Sequence, residues 1–243
     1  MYTYAQTNIQ LYNQLQTQRY QVEEIAAVRQ AYSLTMSLFS GRFRPNGKSF
    51  IAHLIGTASI LVEQNAKVQV IIAGLLHAAY PQGRFSDPRR GITAAKRSKV
   101  RSVVGLETEA LIAGYATLPW NPKHVSGLLE RVATLNTAER EVVLIRLANE
   151  LEDHLDLGLR YGGKFKPSVS SESAIKALCD LAASLSSPQL VHELANAFQA
   201  TSKAEVPLPL VAEEHASYSY EVSLGSRLMG LLYNSLRPRV RRT

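Results

Sequence analysis

Three short stretches hold the residues that could do chemistry. The first is the helix-like segment SFIAHLIGTASILVEQ, which carries His53 in an otherwise apolar setting. The second is VQVIIAGLLHAAY, an apolar run that ends on His77 with Tyr80 three residues later. The third is RLANELEDHLDLGLRY, in which Asn149, Glu152, Asp153 and Asp156 recur at i, i+3, i+4 and i+7. On a helix those four side chains share one face, with Glu150 about 100° away. Histidine titrates near neutrality and serves equally as general acid, general base or metal ligand. A histidine delivered by an apolar helix is often delivered into a site for proton transfer or metal binding, whereas a polar stripe such as that over 149–156, taken alone, is as readily a solvated face.

The elements that must position them read as helices nearly throughout. Apolar positions recur at helical spacing over 5–38, 49–64, 67–79, 93–104, 106–117, 124–135, 137–159, 171–185, 187–200 and about 217–235. Pro45, Asn46 and Gly47 break the chain before His53, and Pro119 with Asn121 break it again. Residues 81–91 are loop by composition. VQVII alone fits a buried strand as well, but thirteen residues without turn chemistry favour helix. The expected organisation is an all-α domain over 1–200, an extended connector over 201–215 built on Pro207 and Pro209, and a C-terminal helix with a basic tail over 216–243.

The order and spacing of the three stretches resemble the HD domain of the RelA/SpoT hydrolases. SGRFRPNGKSFIAH lines up with the turn and helix that bear the first metal-binding histidine. This places Arg44, Lys48 and His53 at matching positions. AGLLHAAY matches the AALLHD element with His77 as the second histidine, and RLANELED matches the KLADRL element. The chain is also similar to an HD-like family that has Leu-Leu-His-Ala/Ser-x-Tyr where the HD motif stands, with Tyr80 as its tyrosine. The resemblance implies an HD-like helical bundle. It also implies a changed site, because Ala78 replaces the aspartate of the HD pair, Asn149 replaces the last aspartate, and Pro81-Gln82 replace the acidic pair that follows. Losing two anionic ligands weakens any Mg²⁺ or Mn²⁺ site.

The leading expectation is thus a small-molecule enzyme without the usual metal. His53, His77, Tyr80 and Asn149 would carry acid/base chemistry, and Arg44, Lys48, Glu150 and Asp153 would hold a small polar or anionic substrate. No cofactor is expected in that reading. One alternative is an inactive ligand- or protein-binding relative. Another is a hydrolase or oxygenase holding Fe, Zn or Mn on His53, His77 and either Glu150 or Asp153.

Composition sets further bounds. The single cysteine, Cys179, excludes an intrachain disulfide and fits a cytoplasmic setting. No signal-like or membrane-spanning run is expected. The net charge is +7, and four of the positive charges, Arg237, Arg239, Arg241 and Arg242, crowd the last seven residues. A second basic stretch runs from Arg84 through Arg89, Arg90, Lys96, Arg97 and Lys99 to Arg101. Aromatic residues do not interleave with it, which argues against a single-stranded nucleic-acid surface. Trp120 reads as a loop anchor, and His124, His154, His192 and His215 as structural or surface residues.

Overall fold

The computed structural model describes residues 4–162, 172–185 and 188–211. The expected helix over 217–235, the basic tail and His215 lie outside them. The described residues are helical except for connecting loops and one antiparallel bridge, Phe43 to Ser49. The fold is all-α.

Eleven α-helices occur among the described residues: α1 (Asn8–Thr17), α2 (Val22–Phe39), α3 (Phe50–Glu63), α4 (Val68–Leu76), α5 (Ala79–Gln82), α6 (Ala94–Thr117), α7 (Pro122–Glu130), α8 (Thr137–His154), α9 (Gly158–Tyr161), α10 (Glu172–Leu185) and α11 (Pro188–Lys203). Helix α3 packs on α4 and α8, and α4 packs on α2 and α6. Helix α10 joins α7 and α11 in a second layer against α8. Every residue of α4 from Val70 to Leu76 is buried. That explains its lack of amphipathic period, since a helix enclosed on all sides needs no polar face.

Some elements end earlier than the sequence suggests. The helical stretch over 5–38 is broken at 18–21, where Arg19 takes a positive φ of 63°. The break between 93–104 and 106–117 survives as a kink at Gly105, with φ 81°. The helix expected over 137–159 stops at His154. Asp156 and Leu157 then adopt left-handed conformations, so Asp156 leaves the face it would share with Asn149 and Glu152. The connector after α11 contains a short 3₁₀ turn at Leu208–Leu210.

The site depends on how closely α3 and α4 approach. A Cβ built on Gly74 would lie 2.3 Å from Leu61 Cδ1, so only glycine permits this crossing without displacing Leu61. Gly74→Ala is expected to cost about 1–3 kcal/mol through overpacking. Part of this is offset by alanine's helix propensity, worth about 1 kcal/mol. Urea denaturation of the variant checks this; a gain in stability would show that the crossing is loose.

Candidate functional site

Arg44 and Lys48 are brought side by side by a tight hairpin. The Arg44 backbone N–H donates to Lys48 O at 2.8 Å, and Gly47 supplies the turn with φ +82°. Ser49 then caps α3, its side chain accepting from the Ala52 N–H at 3.1 Å. His53 follows one turn later. His77 stands at the end of α4, and its Nδ1–H donates to Gly74 O at 2.7 Å. That bond fixes the tautomer and leaves His77 Nε2 as an acceptor.

The two imidazoles meet edge to face, with ring centroids 5.1 Å apart and Nε2 to Nε2 at 3.3 Å. Both are buried, at 3% and 2% exposure. On its other nitrogen, His53 Nδ1 touches Arg44 Nη1 at 2.7 Å and the Glu152 carboxyl. One assignment satisfies the chain: Arg44 or a protonated Glu152 donates to His53 Nδ1, His53 Nε2–H donates to His77 Nε2, and His77 Nδ1–H donates to Gly74 O.

Glu152 is the hub of this arrangement. Its side chain is fully buried and contacts Lys48 and His53, with Arg44 3.5 Å away. Gly56, one turn beyond His53 on α3, makes room for it; a Cβ there would lie 2.9 Å from both Cγ and Oε1 of Glu152. Burial pushes the Glu152 carboxyl up to about 7, with Lys48 and Arg44 pulling it back. Burial lowers both histidines to about 3, reinforced at His53 by Arg44 and at His77 by His53. The histidines are therefore neutral at pH 7, and the His53–Glu152 contact is a hydrogen bond rather than an ion pair.

The structure brings together His53, His77, Arg44, Lys48 and Asn149, whose side-chain amide donates to Asp153 Oδ2 at 3.3 Å. Asp153 is also here, paired to Arg44, with Oδ1 3.8 Å from His53 Nδ1. That oxygen is buried and makes its ion pair out of hydrogen-bond alignment.

Two expected members are directed elsewhere. Tyr80 donates to Glu109 at 2.6 Å, away from the histidines. Glu109 is clamped there by Arg97 and Arg101, at 2.7 Å each. The Tyr80 ring stacks on Phe85. Glu150 accepts from Trp120 Nε1 at 2.7 Å on the opposite flank of α8, as the 100° offset between neighbouring helical positions requires. The tyrosine that packs on His77 is instead Tyr115, with ring centroids 4.7 Å apart, and Arg146 lies 3.7 Å over its outer face.

Sequence reasoning missed Glu152 and Tyr115 as site members. Glu152 was legible as a member of the polar face; Tyr115 carried no local signal. Tyr80→Phe is expected to cost about 1–3 kcal/mol, since it leaves part of a buried carboxylate unpaired. It should leave ligand binding and turnover unchanged. Denaturation and activity measured in parallel would check this, and a loss of activity at wild-type stability would place Tyr80 back in the site.

Part of the basic stretch is engaged within the fold. Besides the Glu109 clamp, Arg89 pairs with Asp87 at 2.8 Å, and Lys96 donates to the Arg89 and Gly91 carbonyls. His154 bonds Thr201 at 2.9 Å and His124 bonds Asn121 at 2.9 Å. Cys179 is half-buried. No helix among the described residues is long and apolar enough to cross a membrane.

A metal fits this donor set poorly. One atom each from His53, Glu152 and Asp153 lie within 4.8 Å of one another. Arg44 and Lys48 already supply positive charge at that point. Where the two Nε2 atoms face each other, the residue after His77 is Ala78 rather than a carboxylate, and Asn149 is a neutral amide. Hard divalent cations need anionic oxygen ligands to offset their dehydration.

A shallow cleft of about 150 Å³ opens beside the centre, with Arg44, Asn46, Lys48, Glu152 and Tyr161 in its walls. Neither histidine lines it.

A family model described as a domain of unknown function, DUF6817, matches residues 36–119. No curated protein matches the chain. Among solved structures it is similar to one described as a metazoan ortholog of SpoT that hydrolyzes ppGpp and plays a role in starvation responses. That match has 17% identity and a TM-score of 0.49, over 72% of this chain and 94% of that one.

Proposed function

We propose that this protein is a divergent HD-type enzyme that carries out metal-independent acid/base chemistry on a small polar or anionic metabolite. The observation that carries the reading is the position of Glu152. It forms part of the cleft wall and is hydrogen-bonded to His53, which in turn meets His77. A carboxyl group poised near pH 7 holds or gives up a proton with little driving force lost, which suits a general acid or base. Arg44 and Lys48 would hold the anionic group of the substrate. His53 and His77 would position Glu152 and accommodate its change of protonation.

A second reading is supported by the burial of both histidines. A centre closed to solvent also suits a protein that binds a ligand in the cleft without transforming it.

The test is a turnover screen of phosphate- and carboxylate-bearing metabolites in the presence of EDTA, with elemental analysis of the same preparation. Turnover that survives the chelator, with a pH limb near 7 that disappears in Glu152→Gln, is the expected result. Stoichiometric binding without turnover would establish the binding protein. Near-stoichiometric iron, zinc or manganese, lost in His77→Ala together with activity, would overturn metal independence.

A further inference from the structure

The turn that ends α8 separates two cavities of opposite character. On one side is the polar cleft of Arg44, Lys48 and Glu152. On the other is a groove of about 620 Å³ whose floor and walls are largely apolar, including Leu151, Leu155, Leu157, Ala197 and Ala200. Leu155 and Asp156 line both. The cleft and the groove are therefore neighbours across a single turn of backbone.

We propose that the ligand of this site is an amphipathic anion: a phosphate or carboxylate head held by Arg44 and Lys48, with an apolar chain crossing Leu155 into the groove. The inference rests on the acid/base reading above only in placing the head at the cleft.

Three observations support it. The groove is large enough for a drug-sized ligand, whereas the cleft alone is smaller than most such sites. The dividing wall contains two consecutive non-glycine residues, Asp156 and Leu157, with φ of 53° and 59°. Strain of that kind persists only where its surroundings over-determine it, and it gathers at ligand clamps. The cations are confined to the cleft, where Arg44 and Lys48 stand beside Glu152, whereas the described polar lining of the groove includes Asp156, Gln189, His192, Glu193 and Asn196 and holds no lysine or arginine.

Asp156 stands on the dividing turn, and Glu152 holds Lys48. An incoming anion must therefore displace the Glu152 contact to Lys48 and the Asp153 contact to Arg44, the former most easily when the Glu152 carboxyl is protonated.

Isothermal titration calorimetry on the full chain tests the proposal with octyl phosphate, octanol and inorganic phosphate, at pH 6 and below micelle-forming concentration. Octyl phosphate should bind at least tenfold more tightly than either of the others. Ala200→Trp, at an exposed position in the groove, should remove the gain from the chain and leave inorganic phosphate binding intact. Lys48→Gln should remove the gain from the head. Octyl phosphate binding no more tightly than inorganic phosphate would overturn the groove and leave the anion cleft standing. Octyl phosphate and octanol binding equally, with Lys48→Gln altering neither, would overturn the head placement and the cleft reading with it.

Discussion

Glu152→Ala is expected to destabilise the fold by about 2–4 kcal/mol and to abolish turnover. Removing one partner of a buried ion pair typically costs about 3–5 kcal/mol, because the charge left behind has lost its compensation. Here the Lys48 and Arg44 side chains keep 21% and 20% of their exposure, so water recovers part of that cost. Glu152→Gln keeps the shape and resembles the protonated acid, and should cost markedly less.

The two variants also separate in their pH dependence. The Glu152 pKa is raised from 4.5 to about 7 in the fold, so between those values the folded chain binds more protons than the unfolded one. The stability this provides is fully present below pH 4.5 and is lost as pH rises through 7. Glu152→Gln removes that contribution, so its stability relative to wild type should improve as pH rises from 4.5 to 7. Urea denaturation at several pH values measures both effects. A cost under about 0.5 kcal/mol for the alanine variant would show that Glu152 is not the centre's electrostatic hub.

The second large effect is expected at His77, with the opposite sign. Burial lowers its pKa from 6.5 to about 3. Between those values the unfolded chain binds more protons, so stability falls as pH falls through the window. His77→Asn retains a donor for Gly74 O but does not titrate. At pH 7.5 the variant should be less stable than wild type, because it loses the contacts of the imidazole with His53 and Tyr115. The gap should narrow by about 2–4 kcal/mol between pH 6.5 and 3.5, as wild type alone is forced to take up the proton. The lower end of that range allows for local relaxation. Denaturant midpoints for both proteins across this range supply the measurement, and a gap independent of pH would mean that His77 is not held neutral by the fold. His53 titrates in the same window, so wild type should show a steep acid transition.

Helical periodicity and chain-breaking residues were enough to identify an all-α chain, because local hydrogen bonding and the burial of an apolar stripe are written in nearby residues. They also marked His53 and His77 as exceptional, each being the one histidine of a largely apolar segment. The spacing of Asn149, Glu152 and Asp153 put them on one face by geometry alone. What sequence could not determine was which member of that face would be most deeply held. The answer depended on Gly56 leaving space across the α3–α8 contact. Nor could it separate Tyr80 from Tyr115. Tyr80 follows His77 in the chain, but a turn at Ala78 sends its hydroxyl to Glu109. Tyr115 is 38 residues from His77 and reaches it because α4 packs on α6. Glu150 likewise sits one residue from Asn149 and turns to Trp120 instead. Adjacency in sequence fixes direction only within a single helix. Which groups meet, and whether a carboxyl or imidazole holds its proton, is decided by the helices that close around them.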